Sequence, residues 1–159
     1  MEVFLNGEWI PEEQAQVSAF DRGFLYGDGV FETIRIYQGH PFLLERHLGR
    51  LAHGLSGLHI EDPFSFDEWT DRCRELIARN KVSDGILRLY ITRGTGKRGY
   101  SSMGCSSPTV LISLHDAPPV ADQKTRVNII TAAGILSDHD PLSTLKTANK
   151  LVNIIAMRE

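Results

Sequence analysis

The fold of this chain is decided around the stretch GVFETIRIY, residues 29–37. The stretch is rich in β-branched and aromatic residues, which favour a strand. Side chains alternate between the two faces of a strand. One face therefore carries Val30, Glu32, Ile34 and Ile36, and the other carries Phe31, Thr33, Arg35 and Tyr37. A turn at Gln38-Gly39 then predicts a short partner strand at 41–43.

Further strands are predicted on both sides of this stretch. Asn6-Gly7 between apolar pairs predicts a hairpin over residues 2–10. Residues 86–93 alternate as a strand, with Arg88 and Tyr90 on the face opposite the leucines. Two more strands are predicted at Thr109–Leu114 and Val127–Thr131.

Three segments have a helical pattern. Leucines at positions 44, 48, 51, 55 and 58 form one apolar stripe and predict an amphipathic helix over 44–58. A second helix is predicted over 67–80, capped by Ser65 or Asp67. Residues 147–158 look helical, with a buried stripe expected at Ala148, Leu151, Val152 and Ile155. The pattern predicts an α+β fold: a mixed, mainly antiparallel sheet with two flanking helices.

Composition places the chain among ordinary globular proteins. The 159 residues are 42% hydrophobic and 23% charged, with a formal net charge of −3. This charge argues against a broadly basic surface for nucleic acid, and no apolar run approaches the length of a membrane helix. The start carries no secretory signal. Two cysteines, Cys73 and Cys105, indicate reduced thiols and a cytoplasmic protein.

Two glycine-rich segments are candidates for a site. DRGFLYGDGVFE, residues 21–32, allows close backbone approach, although composition alone favours a tight turn entering a strand. TRGTGKRGYS, residues 92–101, places three cations among glycines and could present arginine to a carboxylate or phosphate. The alternative is a solvated basic loop. It is not a P-loop, because Arg98 stands where that motif has Ser or Thr.

Two cationic residues are candidates for chemistry. Lys146 precedes a helical pattern and could act as a nucleophile if burial or nearby cations lower its pKa; the alternative is a solvated helix start. Arg50 lies on the flank of the leucine stripe, where a surface arginine lying along apolar surface is the simpler interpretation. Lys150 would share a face with Lys146. No grouping has zinc-ligand spacing.

Taken together, in this order, the motifs resemble the class IV aminotransferase family, the fold-type-IV enzymes that depend on pyridoxal 5′-phosphate. The resemblance covers almost the whole chain: the hairpin, residues 21–32, His-Leu-x-Arg-Leu at 47–51, Thr-Arg-Gly at 92–94 and Lys-x-x-Asn at 146–149. It implies an N-terminal α+β domain over residues 1–118. Residues 119–159 would be an interdomain segment and the beginning of the C-terminal cofactor-binding domain.

The resemblance also implies roles for single residues. Lys146 matches the lysine that bonds covalently to the cofactor and then moves a proton, and Arg50 matches the arginine that binds the cofactor phosphate. Thr33 is expected in the same pocket and is predicted, with Lys146, to be catalytic.

Substrate contacts are implied in the same way. Phe31 takes the aromatic position that lines the pocket beside the cofactor. Arg98 and Tyr100 match a loop pair that, in some members, approaches the substrate carboxylate.

The family contains several activities. The loop at 93–101 and Thr33 look most like aminodeoxychorismate lyase, which converts 4-amino-4-deoxychorismate to 4-aminobenzoate and pyruvate in folate synthesis. Glu32 looks more like a transaminase, whereas Lys150 differs from the tyrosine of branched-chain enzymes. The expected function is the lyase; the alternatives are a D-amino-acid or branched-chain aminotransferase, or an inactive fragment of such an enzyme.

Family members are substantially longer than this chain. The helical pattern reaches Glu159 without a capping glycine, so the chain looks truncated after the cofactor lysine. The acidic residue that pairs with the cofactor's pyridine nitrogen is not assignable here. By resemblance we expect a small-molecule amino substrate and a homodimer, with neither nucleic acid nor membrane as a partner.

Overall fold

The protein is built on one antiparallel sheet. The structure, a computed structural model, describes residues 1–105, 107–118, 129–132 and 139–158. Within these residues the sheet has six strands in the order β2-β1-β6-β5-β3-β4, and every pairing is antiparallel. The strands are β1 Glu2–Leu5, β2 Glu8–Pro11, β3 Gly29–Tyr37, β4 His40–Pro41, β5 Gly85–Thr92 and β6 Thr109–His115.

Two long helices and two short ones accompany the sheet in the described residues. They are α1 Arg22–Tyr26, α2 Leu44–Gly57, α3 Phe66–Asn80 and α4 Leu151–Ala156, with a 3-10 turn at Glu12–Gln14. The predicted α+β fold with two flanking helices is confirmed. Helix α3 begins with a capping box, in which Ser65 and Glu68 satisfy each other's backbone amides.

The core lies between α2, α3 and one face of the sheet. Val30, Ile34 and Ile36 of β3 are buried there, together with Leu51 and Leu55 of α2. The opposite face of β3 is more open, because Thr33 and Tyr37 are exposed and Phe31 is half-buried. The alternation predicted for this strand is therefore present, and the sheet has one covered face and one face open to a ligand.

The C-terminal segment differs from its prediction. Helix α4 begins at Leu151 rather than at residue 147, because Lys146 and Ala148 use their backbone groups to bond β3. Leu151, Val152 and Ile155 are exposed instead of forming a buried stripe. No helix among the described residues is long and apolar enough to cross a membrane.

Two predicted strand boundaries also change. The partner of β3 after the turn spans 40–41 instead of 41–43. Residues 129–131 of the predicted strand at 127–131 are not in a strand, and residues 127–128 lie outside the described residues.

Candidate functional site

The site is organised by the first residues of β3, to which a distant piece of chain is bonded. The amide of Phe31 donates to the carbonyl of Lys146 at 3.1 Å, and the amide of Ala148 donates to the carbonyl of Gly29 at 2.8 Å. This ladder places Lys146 opposite Phe31. Because strand side chains alternate, Lys146 lies on the open face of the sheet with Phe31.

Three cationic groups surround the ring of Phe31. The Lys146 Nζ lies 4.5 Å from the ring centroid, the guanidinium carbon of Arg88 lies 4.6 Å away, and the Lys150 Nζ lies 5.9 Å away. Tyr90 stacks with Phe31, their ring centroids 6.3 Å apart, and the Arg88 guanidinium carbon also lies 5.6 Å from the Tyr90 centroid. Aromatic faces attract cations, so the ring holds positive charge at one place on the open face.

The Lys146 amine has a perturbed pKa. Partial burial lowers the pKa because it disfavours the charged ammonium, and the positive charges of Arg50, Lys150 and Arg88 lower it further, while Glu32 opposes them. The lysine therefore holds more neutral amine near neutral pH than a free lysine does. This is the property that a lysine nucleophile or proton acceptor needs.

Thr33 and Arg88 are neighbours on the same face. Their Cα atoms are partners in the register between β3 and β5, and Thr33 is exposed two residues along from Phe31. Sequence reasoning placed Arg88 on a strand face but not in the site. The sequence feature that indicates Arg88 is a charged residue within an otherwise apolar strand, on the same face as Tyr90.

Arg50 is fixed from the other side of the sheet. Its Nε and Nη2 donate to the two carboxylate oxygens of Glu32, at 2.5 and 2.7 Å, and His47 Nδ1 lies 2.8 Å from the same carboxylate. Glu32 is fully buried, yet its pKa lies below the usual value: burial alone would raise it, and the bonds and charges of Arg50 and His47 outweigh that effect. The Arg50 side chain stays 49% exposed, so it is oriented by Glu32 and still accessible to an anion.

Arg98 and Tyr100 belong to the loop between β5 and β6. Tyr100 packs edge-on against Tyr26, with ring centroids 5.9 Å apart, and is 92% exposed. It lines a cleft of about 320 Å³ together with Thr147 and Asn149. Arg98 is exposed in the same loop. The structure thus brings Lys146, Phe31 and Thr33 together on one face, and the charge of Arg50 lowers the pKa of Lys146. Tyr100 lines a neighbouring cleft, and Arg98 is exposed outside its lining.

The glycine-rich segment at 21–32 has a structural role that sequence reasoning missed. Asp21 is fully buried and caps α1, accepting from the Gly23 amide at 2.7 Å. Its second oxygen accepts from the hydroxyls of Thr92, at 3.0 Å, and Thr109, at 2.6 Å. Gly27 closes the helix in the left-handed region with φ 67°. The Asp21 carboxylate therefore links α1 to β5 and β6.

Asp28 joins two arginines in the same region. It accepts from Arg22 Nε at 2.8 Å and from Arg93 Nε and Nη2 at 2.8 and 3.1 Å. Burial would raise the pKa of Asp28, but the two guanidinium groups outweigh burial and lower it. The arginine of Thr-Arg-Gly therefore binds a carboxylate within the chain itself.

An α+β scaffold that holds a half-buried lysine on an aromatic ring, among cations, has the features of an enzyme that uses an amine nucleophile. The sequence profile of the family described as amino-transferase class IV matches residues 29–159. The chain belongs to this family.

The proteins to which this chain is similar are named for different enzymatic activities. The chain is 36% identical over 155 residues, 98% of its length, to a Methanocaldococcus jannaschii protein provisionally named as a branched-chain-amino-acid aminotransferase, of which it covers 52%. It is 40% identical over 119 residues, 74% of its length, to the aminodeoxychorismate lyase of Bacillus subtilis, of which it covers 41%. Other relatives are named D-alanine aminotransferase.

Solved structures agree on the fold. The 4-amino-4-deoxychorismate lyase of Pseudomonas aeruginosa matches with a TM-score of 0.84 at 33% identity, over 99% of this chain and 56% of that one. The chain thus spans about half the length of the proteins that it matches.

Class IV aminotransferases are pyridoxal-phosphate enzymes. The donor set described here fits this cofactor. Lys146 offers an amine with a lowered pKa, and Arg50, Arg88 and Lys150 supply positive charge near it.

Proposed function

We propose that the protein is an aminodeoxychorismate lyase, which releases 4-aminobenzoate and pyruvate from 4-amino-4-deoxychorismate and serves folate synthesis. The observation that carries the enzyme interpretation is the Lys146 amine, which has a lowered pKa and lies over the ring of Phe31 together with Arg88 and Lys150. The choice of the lyase rests on the charge of its substrate and on the relatives. The substrate is a dicarboxylate, so Arg88 and Lys150 match its charge. The similarity to two lyases supports the choice.

Each residue has a defined task in this proposal. The cofactor supplies the electron sink when bound. Neutral Lys146 Nζ accepts a proton from the substrate carbon that is bonded to nitrogen, and returns it where the product needs it. Arg88 holds a carboxylate, and the Thr33 hydroxyl, beside Arg88 in the register, orients the substrate by hydrogen bonding. Arg50, held by Glu32, binds the cofactor phosphate.

An aminotransferase acting on branched-chain or D-amino acids is the second candidate. The M. jannaschii relative favours it, because its match extends over nearly the whole chain. Both reactions use the same lysine, so they differ in what happens after proton removal. In the lyase the pyruvate unit would leave; in the transaminase a keto acid would leave, with the cofactor supplying the acceptor for the amino group.

Two parallel assays separate these activities. The protein is incubated with pyridoxal phosphate and 4-amino-4-deoxychorismate, and 4-aminobenzoate and pyruvate are measured. A second reaction contains an amino acid and 2-oxoglutarate. We expect the first products in equal amounts; turnover that depends on 2-oxoglutarate and releases no pyruvate would support the aminotransferase instead.

Cofactor attachment is tested without turnover. The chain is incubated with pyridoxal phosphate, reduced with borohydride and mapped by peptide mass spectrometry. We expect label on Lys146 that disappears in Lys146→Met and persists in the control Lys81→Met, since Lys81 caps the end of α3. Label spread evenly over exposed lysines would indicate an inactive fragment.

The proposal includes the organisation of the whole protein. In this proposal residues 1–118 are the N-terminal α+β domain, and residues 119–159 are an interdomain segment and the beginning of the C-terminal cofactor-binding domain. We also propose a homodimer in the cytoplasm. Exposed apolar side chains on and beside α1 and in the loop between β5 and β6 support the dimer: Phe20, Phe24, Leu25, Tyr100 and Met103. Both cysteines are free thiols, which supports a reducing compartment. Sedimentation at several concentrations tests the dimer, which Phe24→Asp would weaken.

A further inference from the structure

One buried arginine holds the loop that carries Arg98 and Tyr100. The guanidinium of Arg22, whose side chain is 4% exposed, donates through Nη1 to the carbonyls of Gly99 and Ser101 at 2.9 and 3.2 Å. Its Nη2 donates to the carbonyl of Tyr100 at 3.3 Å. Three consecutive carbonyls therefore meet one planar donor, which only the fork of arginine can provide.

Tyr26 adds a second attachment from the same helix. The amide of Gly99 donates to the Tyr26 hydroxyl at 3.1 Å, and the Tyr26 ring packs against that of Tyr100. The guanidinium carbon of Arg22 lies 4.9 Å from the centroid of the Tyr26 ring. Helix α1 thus binds three backbone carbonyls of the loop through Arg22 and one backbone amide of the loop through Tyr26.

The counter-ion of Arg22 connects this loop to helix α2. Asp28 binds Arg22 and Arg93, and Arg93 donates in turn to the carbonyls of Leu58 and His59 at 2.6 and 2.9 Å, just past the end of α2. Helix α2 carries the arginine proposed for the cofactor phosphate. The loop and this helix are therefore fixed relative to each other through one carboxylate.

We propose that Arg22 is a positioning residue, which fixes Arg98 and Tyr100 where they meet a substrate carboxylate and touches neither substrate nor cofactor. The inference rests on the proposed function for the role of that loop. Loosening the loop should weaken substrate binding and leave the Lys146 step intact. KM for the amine substrate should rise, while kcat stays near its original value.

Amide hydrogen exchange tests the anchoring directly, without turnover. The variants are Arg22→Lys, which keeps the charge beside Asp28 but loses the fork, and Tyr26→Phe, which leaves the buried ion pairs untouched. Arg79→Lys is the matched control, since Arg79 pairs with Glu75 on α3. We expect exchange in a peptide over residues 97–103 to rise about tenfold in Arg22→Lys, less in Tyr26→Phe, and not in the control. Unchanged exchange in both test variants would overturn the anchoring.

Two further measurements separate this inference from the proposed function. Borohydride-fixed label on Lys146 should be equal in wild type, Arg22→Lys and Tyr26→Phe. KM should rise about tenfold in Arg22→Lys with kcat changed less than about twofold. A fall in kcat at constant KM, or faster exchange with no change in KM, would refute the positioning role. Absence of label on wild-type Lys146 would contradict the proposed function, and the exchange data would still report on the anchoring.

Discussion

Phe31 and Lys146 are joined twice, once through the backbone and once through their side chains. The amide of Phe31 donates to the Lys146 carbonyl at 3.1 Å, and the Lys146 Nζ lies 4.5 Å from the centroid of the Phe31 ring. The backbone bond fixes which way the lysine points, and the ring gives its ammonium a favourable surface. The position of Lys146 is therefore set by the first residues of β3, so substitutions in these residues should displace the Lys146 side chain.

Gly29 offers the sharpest test of this dependence. A Cβ at this position would collide with the carbonyl oxygen of Ile91 and lie 3.0 Å from the Thr92 Cα, both in β5. We expect Gly29→Ala to lower the free energy of unfolding by about 1–3 kcal/mol, because backbone atoms must move apart. The displaced strand should also reduce cofactor labelling of Lys146. Urea unfolding and peptide mapping measure the two effects.

Gly49→Ala is the control for that substitution. Gly49 lies within α2, and a Cβ there meets nothing within 4 Å. Alanine should stabilise the helix by up to about 1 kcal/mol and leave labelling unchanged. Equal behaviour of the two variants would contradict the close approach of β3 and β5.

The charge of Arg88 should lower the pKa of the Lys146 amine. Arg88 is one of the cations that lower the pKa of Lys146, so Arg88→Met should raise that pKa. The pH at which the cofactor attaches at half its maximal rate should move upward by about half a pH unit, as expected for one charge at a partly exposed site. Arg35→Met is the control, because Arg35 packs over Tyr37 further along β3. A downward shift of this pH in Arg88→Met would show that Arg88 does not lower the pKa of Lys146.

Local signals were sufficient for much of this fold. The alternation of β3 and the leucine stripe of α2 repeat within a few residues, and the cap of α3 is encoded by Ser65 and Glu68. Such features depend on neighbours in sequence, so a pattern can predict them. The positions of the six described strands follow the same logic, whereas residues 129–131, predicted as part of a strand, are not in one.

Long-range contacts explain what the sequence did not predict. The segment before α4 has a helical pattern, yet hydrogen bonds to Gly29 and Phe31 hold Lys146 and Ala148 extended. Likewise, no local pattern shows that Arg22 and Arg93 share Asp28. Arg50 was predicted as an anion ligand, and its carboxylate partner Glu32 lies on another element that only the folded sheet brings near.

Glu32 should make the protein sensitive to acid. Its pKa is lower in the folded state than in the unfolded chain, so its contribution to stability is fully present above the unfolded value of about 4.3 and is lost as the pH falls through the folded pKa. We expect wild-type stability to fall more steeply below pH 5 than that of Glu32→Gln. Urea unfolding at a series of pH values checks this. The exposed Glu61→Gln should follow the wild-type curve.

The carboxylate of Asp28 should be required to keep two buried guanidinium groups together. The side chains of Arg22 and Arg93 are 4% and 12% exposed, and both donate to Asp28. Asp28→Asn would leave them without a counter-charge, and we expect it to reduce the free energy of unfolding by about 3 kcal/mol. Because the pKa of Asp28 is lowered in the folded state, this difference should shrink as the pH falls through that pKa, below about 3.9.

A double-mutant cycle with Arg93→Met isolates the charge effect at Asp28. Once one guanidinium is gone, the remaining Arg22 has no like charge facing it, so Asp28→Asn should cost less in the Arg93→Met background than in the wild type. We expect a coupling of about 1 kcal/mol or more, which is the range for residues in one ion-pair network. Additive losses in denaturant unfolding would show that Asp28 and Arg93 do not stabilise each other, and would contradict a shared ion-pair network.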